Sequence, residues 1–160
     1  MPRQPLSQSC ACSCGESRLD VKGMPIARLL CHCTICQTVY KKPFADVIVL
    51  WAGAIALPED HKVQFKKYRR PPALSRGACP TCNAPVVGFL GLAPFVKLAF
   101  VPSMNFQHQA ALPTPSAHIF YHRRLEDAAD NIPKVSGYWP SELTVQKLVM
   151  GSLFHQRKSP

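Results

Sequence analysis

CPTCNAPVVGFLGLAPFVKLAFV, residues 79–101, forces a choice between two folds. From Ala84 onward the run is apolar and close to the roughly 20 residues of a membrane-spanning helix. Pro85 and Pro94 each remove a backbone donor, Gly88 and Gly91 weaken a helix, and Lys97 would place a charge in lipid. The β-branched and aromatic residues between these breaks suit two short buried strands, so no membrane partner is expected. The Cys79-Pro80-Thr81-Cys82 step ahead of them reads as a turn, because Pro80 presets the backbone and two cysteines three apart around a turn can aim both sulfurs at one ion.

The same strand signal recurs on both sides of this run, at 18–21, 26–31, 44–51, 63–68, 73–78 and 118–122, alongside 85–90 and 95–101. Helix signals are few. Thr34 can cap a short turn through Tyr40, stopped by Lys41-Lys42-Pro43. Ser141 is expected to cap a C-terminal helix after Pro140, with Val145, Leu148, Val149 and Leu153 on the face that packs on sheet. The expected fold is mainly β: antiparallel sheets, stabilised by zinc, with a C-terminal helix. Residues 1–9 read as a flexible tail and 10–160 as a single domain, since 160 residues suit one core.

The opening run PRQPLSQSCACS has no apolar stretch of the roughly 7–15 residues an export signal uses, so a cytoplasmic location is expected. In that compartment thiols stay reduced, and the eight cysteines read as metal ligands in preference to disulfides. The formal net charge is +10. Seven thiolates on two dications would lower it by about three units and leave the chain basic. An anionic small molecule or a nucleic acid are both compatible partners.

The cysteines fall into three groups: Cys12-Ser13-Cys14-Gly15, Cys31-His32-Cys33-Thr34-Ile35-Cys36, and Cys79 with Cys82. In extended chain the residues of Cys-x-Cys share a face. The pairs Cys12/Cys14 and Cys79/Cys82 therefore make a natural structural zinc quartet that ties early chain to late. Cys31, Cys33 and Cys36 are three ligands, the count of a catalytic zinc that keeps a position for water or a substrate atom. Closure by Cys10 or by a histidine, or an empty or disulfide state, are the alternatives. His32 is a poor ligand candidate because it lies between two cysteines and should face the other way.

Cys-x-Cys-Gly, then Cys-His-Cys-x-x-Cys, then Cys-x-x-Cys resembles the glutathione-dependent formaldehyde-activating enzyme family, whose relatives include centromere protein V. The resemblance spans residues 9–137, with Gly53, His118 in SAHIFYHRR and the Asp130-Asn131-Ile132-Pro133 turn. It implies a tent-like β fold with two zinc ions, one structural on Cys12, Cys14, Cys79 and Cys82, the other catalytic on Cys31, Cys33 and Cys36. It also implies carbon–sulfur lyase-type chemistry, joining formaldehyde to the thiol of glutathione. Asn83 stands where the family usually has glycine and is expected to take the left-handed conformation.

Other features carry weaker expectations. Residues 61–70 interleave basic and aromatic side chains, which suits a half-buried strand with its charges outward better than a nucleic-acid face. Arg123 and Arg124 could meet a carboxylate, and His118 or His122 could serve as acid or base near the open site. Trp51, Trp139 and the LGLAPF stretch read as core or rim, although LGLAPF could also line a cavity beside the site. The rival to an enzyme is a zinc-stabilised module that uses its positive surface to bind nucleic acid or an acidic partner.

Overall fold

The computed structural model describes residues 4–71 and 73–156. In chain order the elements are β1 (Leu6–Ala11), β2 (Arg18–Gly23), β3 (Ala27–Cys31), α1 (Thr34–Tyr40), β4 (Ala45–Trp51), β5 (Ile55–Ala56), β6 (Gln64–Lys67), β7 (Ser75–Ala78), β8 (Pro85–Ala93), β9 (Val96–Pro102), β10 (Ala117–Ile119) and α2 (Tyr138–Gln156). They form a three-stranded sheet, β1-β2-β5, and a seven-stranded sheet, β10-β3-β4-β9-β8-β7-β6. Residues 79–101 supply the hairpin β8–β9 at the centre of the larger sheet. Among the described residues, no helix is long and apolar enough to cross a membrane.

The central strands alternate between two cores, as a pleat with period two requires. From β4, Ile48 and Leu50 face one core with Leu19, Val21 and Val101, while Val47 and Val49 face the other with Leu29, Leu98 and Val149. Strand β9 repeats the pattern, with Ala99 and Val101 on the first side and Leu98 on the second. The second core contains Cys31 and Cys36, which links the packing of the sheet to one cysteine group.

Several expectations are corrected. The sheets are mixed, because β10 pairs parallel to β3 through Ala117↔Leu29 and Ile119↔Cys31. The chain reaches β10 by a long connection from β9 and so can enter beside β3 in the parallel sense. The expected tail at 1–9 is in part strand: β1 begins at Leu6, and Leu6 and Cys10 bury on one face of it. Thr34 is the first residue of α1, whose cap is Cys33. Helix α2 begins at Tyr138, before Pro140, which the first turn accommodates because its missing N–H would have had no helical partner there.

Ser141 is thus inside α2 and fully buried. Its Oγ donates to Gly137 O at 2.6 Å and accepts from Phe120 N at 2.8 Å. Phe120 has φ 53°, a left-handed conformation that a bulky side chain adopts only under constraint. The hydroxyl of Ser141 is that constraint. Ser141→Ala strands the Phe120 amide and is expected to cost about 1–3 kcal/mol in denaturant unfolding. Val145, Leu148 and Val149 pack α2 on the second core, while Leu153, expected on the packed face, is 39 % exposed.

Candidate functional site

Two cysteine groups converge. The Sγ atoms of Cys12, Cys14, Cys79 and Cys82 all lie within 4.8 Å of one another, as do those of Cys31, Cys33 and Cys36. All eight cysteines are free. Cys10 belongs to neither group; it is buried between the sheets opposite Leu19 and Phe106.

The first group sits on two knuckles. One follows β1, where Gly15, at φ 78°, donates its amide to Cys12 O, and Ser17 N reaches Cys12 Sγ at 3.3 Å. The other joins β7 to β8, where Asn83 takes φ 57°, the left-handed conformation expected of it, and donates to Cys79 O at 2.8 Å. Cys12 and Cys14 sulfurs are 3.5 Å apart and Cys14 and Cys79 sulfurs 3.7 Å. Sulfurs placed about 2.3 Å from one tetrahedral zinc stand about 3.8 Å apart, so the four fit a single soft ion. Burial opposes charge on Cys79, yet hydrogen bonds from Ser17 and from the Cys82 and Thr81 amides outweigh it and bring its pKa down to about 6. This group could hold a metal between the two sheets.

The second group surrounds the start of α1. Cys33 caps the helix, its Sγ accepting from Cys36 N at 3.4 Å. The neighbouring Cys31 and Cys36 side chains, then the Cys36 amide and Arg76, hold the Cys33 pKa far below the ordinary thiol range. Arg76, from β7, brings Nη2 to 3.6 Å from Cys36 Sγ. All three cysteines line a cavity of about 580 Å³ between the large sheet and α2. Among the described residues, no fourth cysteine, histidine or carboxylate joins the trio.

His32 turns to the opposite side of β3. Its Nε2 lies 2.8 Å from His118 Nδ1, and His118 Nε2 is 3.0 Å from Asp130 Oδ2. Asp130 in turn accepts from Lys134 Nζ at 2.8 Å, and these contacts, the lysine's foremost, hold its pKa down at about 2. The charged carboxylate accepts a hydrogen bond from His118 Nε2–H, so His118 Nδ1 is an acceptor and His32 must donate from Nε2. Nδ1 of His32 is then a buried lone pair with no protein partner. The pair is 1–2 % exposed, and burial above all keeps the His32 pKa near 4. His118→Leu leaves both nitrogens of His32 unsatisfied and is expected to cost about 2–4 kcal/mol in denaturant unfolding. A His32→Leu/His118→Leu double variant should cost less than the two single changes summed.

Of the remaining candidates, His122, Arg123 and Trp139 line the cavity, as do Leu90 and Leu92 of the LGLAPF stretch. His118 does not; it belongs to the buried pair. Arg124 is paired with Asp127. Trp51 packs on the second core. Residues 61–70 contain the edge strand β6, whose four residues are all exposed, while Val63 is buried. Arg76 and Gln37 escaped the sequence reading. Gln37 Nε2 donates to both His32 O and Arg123 O, fastening the cysteine loop to the turn that carries His122.

The arrangement defines a class: a mixed-β protein with two cysteine groups that could hold metal, one joining the two sheets with Cys14 exposed and one opening on a large cavity. The model of the family described as glutathione-dependent formaldehyde-activating enzyme matches residues 7–123. The chain belongs to that family. The match ends before the Asp130-Asn131-Ile132-Pro133 turn that the sequence reading counted toward it. No curated protein matches the chain.

Proposed function

We propose that this protein is a zinc-dependent carbon–sulfur lyase-type enzyme that makes or cleaves adducts between a thiol, such as glutathione, and an aldehyde, such as formaldehyde. The observation that carries this reading is the Cys31/Cys33/Cys36 trio, three sulfurs facing one cavity without a fourth side-chain donor among the described residues. Cys12, Cys14, Cys79 and Cys82 would hold a structural zinc, and the trio a second one. When bound at the trio, the ion would favour the thiolate form of a substrate thiol or polarise an aldehyde oxygen as a Lewis acid.

The chain's own groups suit the rest. In adduct formation the thiol sulfur bonds to the carbonyl carbon, the C=O π bond breaks, and the thiol proton ends on the new hydroxyl. Arg76 sets a fixed positive charge beside the sulfurs, where it favours anionic sulfur over neutral thiol. His122, a residue of the cavity lining, accepts from Gly137 N at 2.8 Å through Nδ1, so its N–H is on Nε2 and can donate a hydrogen bond to an oxygen. The aliphatic walls offer no hydrogen bonds to water that would compete for the aldehyde.

The test is turnover of thiol and aldehyde mixtures by protein carrying two zinc ions per chain, measured by elemental analysis. Acceleration over the same mixture without protein is the expected result. No acceleration with any thiol or aldehyde at full metal content rejects the reading.

A further inference from the structure

The cavity beside the trio is larger and more apolar in its lining than a small polar adduct requires. Its volume of about 580 Å³ lies in the middle of the range, roughly 300–1,000 Å³, that takes ligands the size of a drug molecule. Leu29, Val47, Val87, Phe100, Ile119 and Val145 give it a hydrocarbon wall. The amides and charged ends of a peptide would lose hydrogen bonds to water against that wall and regain few.

The charges on the lining are one-sided. Arg69, Arg76 and Arg123 all face the cavity, against a single acid, Glu142. Among the described residues none of the three arginines pairs with a carboxylate, whereas Arg28 and Arg124 pair with Asp46 and Asp127. Arg69 is braced instead by Tyr138 of α2, its Nη1 3.3 Å from the hydroxyl and its guanidinium 5.8 Å from the ring centre. Arg69 and Arg123 are exposed, and Arg76 lies beside Cys36. Arg76 thus places positive charge at the sulfurs, and Arg69 and Arg123 add two exposed guanidiniums to the lining.

We propose that the ligand of this cavity is an amphiphilic thiol: sulfur at Cys31/Cys33/Cys36, an extended hydrocarbon body along the wall, and an acid group held by Arg69 and Arg123. This rests on the thiol-handling function proposed above and names its substrate class, a long mercapto-carboxylic acid, free or as its aldehyde adduct. Hydrocarbon burial selects the body, and the unpaired guanidiniums select the acid.

Calorimetric titration of the full, zinc-loaded chain tests it with mercaptoacetate, mercaptohexanoate, mercaptoundecanoate, glutathione, and the alcohol analogue of mercaptoundecanoate. Affinity should rise about fourfold per added methylene until the wall is covered. Mercaptoundecanoate should bind more than about tenfold tighter than either glutathione or its own alcohol analogue. The double variant Arg69→Gln/Arg123→Gln, altered only at exposed positions, should erase the difference between acid and alcohol. Thiols that all bind with no dependence on chain length, or glutathione binding tightest, overturns the inference while leaving thiol handling intact. Undecanoate binding as tightly as its mercapto counterpart, or Cys33→Ser without effect on mercaptoundecanoate, removes the sulfur anchor and overturns both.

Discussion

Cys79→Ala is expected to leave the chain without a stable fold. Cys12 and Cys14 follow β1 of the smaller sheet, Cys79 and Cys82 join β7 to β8 of the larger one, and their sulfurs meet at a single point. A structural zinc held there would contribute an apparent folding free energy of about 10–16 kcal/mol. Whole domains are stable by only about 5–15 kcal/mol, so loss of the clamp exceeds what the remaining packing can offset. Chelation of the wild-type protein should produce the same state. Both are measured by far-ultraviolet circular dichroism and metal content. Cys10→Ala is the control, because Cys10 is equally buried but belongs to neither sulfur group; it should cost only about 1–2 kcal/mol. An unchanged melting temperature for Cys79→Ala or after chelation would show that the two cores hold the sheets without metal.

Why the sequence revealed some of this and not the rest is a matter of range. Spacing within a few residues is dictated by the pleat and the turn, so the pairing of Cys12 with Cys14 and of Cys79 with Cys82, the left-handed Asn83 and the turn of His32 away from the cysteines could be read directly. Strands with continuous apolar faces, such as β4 and the β8–β9 hairpin, were equally plain. Strand β1 hid because Ser7, Gln8 and Ser9 dilute its two inward residues, Leu6 and Cys10, although these stand four apart on one face. The start of α2 was displaced by Pro140, a helix breaker in mid-helix but harmless in a first turn. Strand β10 stops at Ile119 because Phe120 turns left-handed, and no glycine announces that bend. Contacts between distant segments had no local signature. The His32–His118 pair joins residues 86 apart in sequence, and Arg76 reaches Cys36 only because sheet order brings β7 across the cavity from α1.

Cys33→Ser is expected to abolish turnover of thiol and aldehyde mixtures while preserving the fold, and the two effects separate for structural reasons. Cys33 has two roles at once. As cap of α1 it accepts from Cys36 N, and serine is among the best residues at such a position, so the helix start and the packing of Cys36 should survive. As a member of the trio it supplies one of the three sulfurs, and serine cannot replace it there, because a hydroxyl stays protonated where a thiol ionises. The melting temperature should therefore stay within a few degrees, about what a change of 1 kcal/mol produces. Metal content should fall from two ions to one, with the quartet at Cys12, Cys14, Cys79 and Cys82 still filled. Turnover should fall by more than about 100-fold, since even groups that only support a metal ligand are worth about 10–100-fold. Arg76→Met provides the companion measurement: it removes the positive charge beside Cys36 without removing a sulfur, so both ions should remain while turnover falls and its rising pH limb moves upward. Full turnover in Cys33→Ser, or loss of both ions together, would mean that the trio and the quartet are not the independent sites their separation in the fold implies.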